Sequence, residues 1–195
     1  MDGTRVAGEH EAELRTAVRA GPGLRVLTGG QTGVDTWTAQ AALAAGLRVH
    51  LIFPAAYRQE DGPLSAARRR RLRGATLHEL SSASFRYRTW TSVYLSDAVV
   101  LLDPASGDGC RETAQAARRL GRPLLTPDPG PLSVVRVAAW LAEAGAQVLL
   151  VAGCRASLLD RAGEAAGARA QIADLIAAVA RHDKAPAPRA GGELS

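Results

Sequence analysis

The chain is short of several residue types, and each shortage excludes something. Only two of its 195 residues are cysteine, Cys110 and Cys154. Their spacing fits neither a metal-ligand motif nor a disulfide framework, which points to a reducing, cytoplasmic setting. The four histidines, His10, His50, His78 and His182, show no ligand spacing, so no metal is expected. Aromatic residues make up 4% and do not alternate with the basic ones, which argues against a base-stacking surface and makes nucleic acid an unfavoured partner. Lysine occurs once, at Lys184, so the net charge of +5 is carried by arginine. That charge suits an anionic small molecule equally well. No apolar run approaches the ~20 residues that span a membrane. Met1 to Glu13 carries acids and no apolar core, which argues against a secretory signal peptide.

What is present is an ordinary globular composition, 47% hydrophobic and 22% charged, in a chain long enough for one sizeable core. Short apolar runs read as strands over residues 24–27, 49–53, 76–80, 98–102, 123–125 and 148–151. Helical runs alternate with them over 11–19, 36–45, 66–73, 84–94, 110–120 and 134–144, and a last one extends to Ala180. Alternation of this kind predicts an α/β fold: a mostly parallel sheet with helices on both faces. Residues 1–23 read as a helical N-terminal extension, 24–182 as a single domain and 183–195 as a disordered tail rich in Pro, Gly and Ala.

Three glycine-containing turns each lead from a strand into a helix. The first is Thr28-Gly29-Gly30-Gln31-Thr32-Gly33-Val34-Asp35. It lacks the G-x-G-x-x-G spacing and a Walker lysine. Backbone N–H groups at such a helix start favour an anion, and glycines allow close approach, so the turn reads as a phosphate cradle or a purely structural turn. Gln31 and Thr32 add side-chain donors. Asp35 either orients a sugar hydroxyl or caps the helix, a role open to Thr36 as well. The second turn runs from Asp103 through Gly107, Asp108 and Gly109 to Cys110, with Glu112 just inside the next helix. Glu112 could serve as a general base, bind ribose hydroxyls, or simply favour the helix dipole. Cys110 reads as a packed residue before a nucleophile, with no histidine near it in sequence. The third turn is Gly153-Cys154-Arg155-Ala156-Ser157. Arg58, Glu60 and Asp61 mark the most polar point of the loop over 55–65, and Arg88 could clamp a phosphate. Ligands of parallel sheets sit beyond the strands' carboxyl ends, so one cleft could collect all three turns.

These motifs, taken in order, resemble a known family. Gly29 to Asp35 is similar to the opening signature of the circularly permuted YpsA-like branch of the SLOG (SMF/DprA–LOG) superfamily, a family described as molybdenum cofactor carriers. Pro54 to Gly62 resembles its proline-to-Glu-Asp-Gly loop, and Arg88-Thr89 and Ser96-Asp97 its next two segments. Gly107 to Cys110 resembles its Gly-Gly-Thr turn, and Trp140-Leu141 with Val151 to Arg155 its C-terminal segment. Thr36, Cys110 and Cys154 depart from the family's usual Arg, Thr and Pro.

The resemblance implies a Rossmann-like three-layer sandwich, a homo-oligomer (dimer or tetramer), and a nucleotide or phosphorylated cofactor as ligand. Related LOG proteins are phosphoribohydrolases that use a glutamate after the second turn and an arginine. Glu112 and Arg88 are the nearest equivalents, with Glu112 one residue closer to its turn than the LOG spacing. Glu60 and Asp61 are alternative carboxylates. The expected function is hydrolysis of the N-glycosidic bond of a nucleoside monophosphate, with no cofactor required. Gly29, Gly30, Gln31, Thr32, Gly33, Asp35, Arg58, Thr89, Asp103 and Gly107 to Cys110 would hold the ligand, and Glu112, Glu60, Asp61 and Arg88 would act on it. The alternative is a non-catalytic carrier or sensor of a phosphorylated cofactor such as molybdenum cofactor. A weaker one is single-stranded DNA binding.

Overall fold

The computed structural model describes residues 3–102, 107–128 and 131–184. The chain opens with α1 (Gly3–Arg19), β1 (Arg25–Thr28), α2 (Val34–Ala44) and β2 (Arg48–Phe53). Next come a small hairpin, β3 (Arg58–Gln59) and β4 (Gly62–Pro63), then α3 (Ala66–Arg71), β5 (Thr76–Glu79) and α4 (Phe85–Leu95). The second half runs β6 (Ala98–Leu102), α5 (Asp108–Arg119), β7 (Leu124–Leu125), α6 (Val134–Glu143), β8 (Val148–Gly153), α7 (Ala156–Ala162) and α8 (Ala165–Lys184).

The strands are short and apolar because the sheet is covered on both sides. All five residues of β6 are buried. Six strands form one sheet in the order β5-β2-β1-β8-β6-β7, with every pairing parallel. Alternating residues then face opposite ways. Val26, Val49, Leu51, Val100 and Leu149 pack with Ala39 of α2, Leu141 of α6 and Leu175 of α8. Leu27, Ile52, Val99 and Leu150 pack with Val18 of α1, Val93 of α4 and Ala117 of α5. The result is the Rossmann-like three-layer sandwich. No helix among the described residues is long and apolar enough to cross a membrane.

The order of the strands positions the site. β8 lies between β1 and β6, so the three strands that end in glycine turns are neighbours. Their turns therefore meet at one edge, where the strand order reverses.

Several element ends differ from the sequence reading. α2 is capped by Gly33 with no side-chain cap bond, so neither Asp35 nor Thr36 is the N-cap. The long last helix is two helices, because Gly163 takes a left-handed φ of 71° and ends α7. The helix at the chain's start spans Gly3–Arg19, beginning well before residue 11. Residues 183 and 184, expected in the tail, belong to α8, which runs to Lys184, and Asp183 Oδ1 accepts a 2.6 Å hydrogen bond from the Leu24 N–H. Residues 185–195 lie outside the described residues.

Candidate functional site

The first turn is folded around the protein's own carboxylate. Asp35 sits in the first turn of α2 and accepts from the Gln31 N–H at 3.0 Å. The Thr32 N–H donates to Gln31 Oε1 at 3.0 Å, and the Val34 N–H to the Cys154 carbonyl at 3.0 Å. These N–H groups, expected to cradle a ligand's phosphate, are already engaged. The glycines make room for the protein in the same way. A Cβ on Gly29 would overlap the Arg88 guanidinium. One on Gly30 would come 2.6 Å from the Phe53 ring, and Gly30 also holds a φ of +71° that L side chains rarely adopt. One on Gly33 would lie 2.5 Å from the Ala156 nitrogen.

Arg88 reaches into this turn from α4. Its Nη1 lies 3.4 Å from Asp35 Oδ2, with side-chain exposures of 13% and 4% for the two residues. The pair is thus out of water and loosely closed. Burial pushes the Asp35 carboxyl up from its ordinary value, against the opposing pull of Arg88 and of the Gln31 N–H. Burial also draws the Arg88 guanidinium down from its ordinary value. Arg88 Nε is buried and has no hydrogen-bond partner among the described residues. A buried donor left in this state is costly, on the order of 1–3 kcal/mol, and an incoming acceptor would relieve it. Thr89, the next residue, is buried and also lines the cleft.

The loop after β2 is pinned to the first turn. Ala56 and Tyr57 both take left-handed φ values, 61° and 49°, without being glycine. Gln59 Nε2 donates to the Gly30 carbonyl at 2.7 Å, and the Glu60 N–H to Gln31 Oε1 at 2.8 Å. The Glu60 carboxylate accepts from the hydroxyls of Thr32 and Ser157, and Arg155 Nε lies 3.4 Å from it. Burial alone would raise the Glu60 pKa, but the Ser157 and Thr32 hydroxyls, the Ser157 N–H and Arg155 together hold it below the ordinary value. Glu60 is a strut joining the first turn, the loop and the third turn. Asp61 points elsewhere. It is gripped by both terminal nitrogens of Arg68, at 2.7 and 2.5 Å, and that contact lowers its pKa. Arg58 lies over the Phe85 ring at 5.3 Å. Neither Asp61 nor Arg58 is among the residues lining the cleft.

Of the second turn, Asp103 lies outside the described residues. Gly107 caps α5, and the Cys110 and Arg111 N–H groups both donate to its carbonyl. The Asp108 carboxylate is held by Arg111 at the surface. Glu112 accepts from Trp90 Nε1 and from Arg86 Nε, the latter at 2.9 Å, and these two donors lower its pKa.

A cleft of about 680 Å³ joins these parts. Gln31, Asp35, Glu60, Arg88 and Thr89 line one side, and Gly107 to Thr113 the other. Ala152 to Arg155 form its floor. The volume suits a nucleotide-sized ligand. Sequence reasoning did not assign Gln59, Arg86, Trp90, Arg155 or Ser157 to the site. Arg155 and Ser157 lie within the third turn, which is visible in the sequence. Trp90 carries no motif, and only the packing of α4 against α5 reveals it. Among the described residues, no group of three or more His, Cys, Asp or Glu could hold a metal ion.

A family model for the circularly permutated YpsA SLOG family matches residues 26–174. The chain belongs to that family. All three turns and the Pro54 to Gly62 loop fall inside the matched region. Among solved structures, the chain is similar to one from Syntrophus aciditrophicus SB named "Putative molybdenum carrier protein". The two share 22% identity over 80% of this chain and 96% of that one, with a TM-score of 0.64. That likeness is one of fold. A second structure, "AtPrR2 in apo form", shares 17% identity over 68% of this chain and 49% of its own, with a TM-score of 0.37, too low to indicate a shared fold. A comparison with curated proteins finds no match.

Proposed function

We propose that this SLOG protein binds a phosphorylated small molecule of the nucleotide or cofactor class and acts as its carrier or sensor. The observation that carries this reading is Arg88: a buried guanidinium on the cleft wall, loosely paired and with an orphaned Nε. A phosphate there would supply the acceptor that Nε lacks once the guanidinium turns toward the cleft. Arg86, Arg111 and Arg155 border the same cleft and can turn toward a polyanion. The similarity to a protein named as a molybdenum carrier favours a phosphorylated cofactor, molybdenum cofactor among the candidates, and the phosphate of such a group fits the same arginine.

Carriage is favoured over hydrolysis by the state of the carboxylates. Cleaving an N-glycosidic bond uses a carboxylate to support an oxocarbenium-like transition state, a base to activate water, and an acid poised near neutral pH to protonate the leaving base. Glu60, Asp61 and Glu112 are each held ionised by donors of the protein itself, and Asp35, whose carboxyl burial pushes up, is tied to Arg88 and the Gln31 N–H. Glu112 keeps the hydrolytic reading as the second one, because it lines the cleft and an ionised carboxylate can act as a base.

Isothermal titration with nucleoside mono- and diphosphates and phosphorylated pterins tests the proposal. At least one ligand should bind, and Arg88→Lys, which keeps the charge but loses the fork, should weaken it by roughly tenfold or more. Chromatography of the same mixtures should show intact ligand. Release of free base would replace carriage with hydrolysis. Absence of binding across the panel would sink both readings.

A further inference from the structure

The chain's only two cysteines lie 44 positions apart in sequence, yet their sulfurs face each other at 3.5 Å. A buried residue touches roughly 6–12 others, so a second cysteine placed at random would meet the first only about one time in twenty. Cys110 belongs to the first turn of α5, and Cys154 joins β8 to α7. Both are buried, at 4% and 2% exposure, and they are not joined by a disulfide. Both also line the cleft, so a molecule the size of water reaches their edge. The surroundings make the pair consequential. The first turn is already tied to the third through the Val34 N–H on the Cys154 carbonyl and the Ala156 N–H on Thr32 Oγ1, at 3.0 and 3.3 Å. The second turn meets the third at the sulfurs.

We propose that Cys110 and Cys154 form a reversible dithiol–disulfide site whose oxidant is hydrogen peroxide, and that oxidation clamps the second turn to the third. In the first step one sulfur, as thiolate, attacks the peroxide. An S–O bond forms, the O–O bond breaks, and hydroxide leaves to be protonated by solvent. The sulfur is oxidised by two electrons to a sulfenic acid. The second thiol then gives up its proton and attacks that sulfur. The S–S bond forms, the S–O bond breaks, and water leaves. The sum is two thiols and one hydrogen peroxide giving one disulfide and two waters. An external dithiol returns the two electrons by exchange.

This proposal does not depend on the ligand assigned above. The test uses the full-length chain, reduced and then exposed to hydrogen peroxide in slight excess, with peptide mass mapping after alkylation. The expected product is a Cys110–Cys154 crosslink, absent before treatment and removed by dithiothreitol, in protein of unchanged circular dichroism. Of Cys154→Ser and Cys110→Ser, the variant that keeps the attacking sulfur should stop at a sulfenic acid that dimedone traps, and neither should form the crosslink. Folded protein that keeps both thiols alkylatable, or that gives sulfinic acid with no crosslink, overturns the proposal. A nucleotide titration of both redox forms keeps the two ideas apart: binding by neither form would count against the ligand reading and leave the crosslink standing.

Discussion

Arg88 and Asp35 show how a single buried pair can organise a site. Each is expensive to bury alone, and each is held because the other is present. Gln31 shares Asp35 through its N–H, and Gly29 exists to let the guanidinium through. The expected effect of Arg88→Ala is therefore larger than the loss of one contact. It strands a buried carboxylate and should cost about 3–5 kcal/mol in a urea melt at neutral pH. The double change Arg88→Ala with Asp35→Asn should recover part of that loss, because the stranded charge is gone. If the single variant melts like the parent, the pair is not buried as described. Residue identity at this site is legible in the sequence, but residue role is less so. Arg88, Asp35 and Glu112 are all visible as candidates. That Asp35 is the anion of the first turn is not visible, because an aspartate at a helix start looks the same whether it caps the helix or turns back beneath the loop.

At the scale of elements, the pairing of β2 with β5 carries a pH dependence. His50 on β2 and His78 on β5 stack with ring centroids 5.3 Å apart, and His50 Nδ1 lies 3.0 Å from His78 Nε2. One ring must donate and the other accept, so the accepting ring at least is neutral in the folded protein. Burial, then the charges that His78, Arg25 and Arg48 would set against it, lowers the His50 pKa from 6.5 to about 4. His78 is lowered too, by burial and by His10 of α1. Folding thus favours the proton-free form. The contribution is fully present above pH ~6.5 and is lost as pH falls from there toward 4, on the order of 2–3 kcal/mol for His50. Melting temperature measured from pH 7.5 to 4.5 should fall, and His50→Gln should flatten that slope. A variant profile parallel to the parent's would refute the assignment. The elements themselves are largely readable from the sequence, since apolar runs covered on both faces and alternating with Ala-rich helices leave few alternatives. The break between α7 and α8 is not. Gly163 and Gly167 look alike in the chain, and only Gly163 takes the left-handed turn that separates the helices.

The whole molecule is built so that three separate stretches of chain share one edge of one sheet. The sequence shows three glycine turns at strand ends, and it shows that parallel sheets bind ligands there. It does not show strand order, which depends on long-range pairing that no local pattern encodes. That order has a consequence for the nascent chain. Among the described residues β8 is the last strand to be made, yet it is seated in the middle of the sheet, between β1 and β6. Until Val148 to Gly153 has left the ribosome, β1-β2-β5 and β6-β7 are two half-sheets with bare inner edges and unpaired backbone groups. Such a chain must wait for most of its length before it can commit to its fold, and it exposes strand edges while it waits. A version cut before Val148 should be protease-sensitive and prone to aggregate. A separately supplied segment carrying β8 to α8 should rescue its solubility when the two are expressed together. The same strand that closes the sheet carries the third turn into place, so the ligand cleft is among the last features the newly made protein acquires.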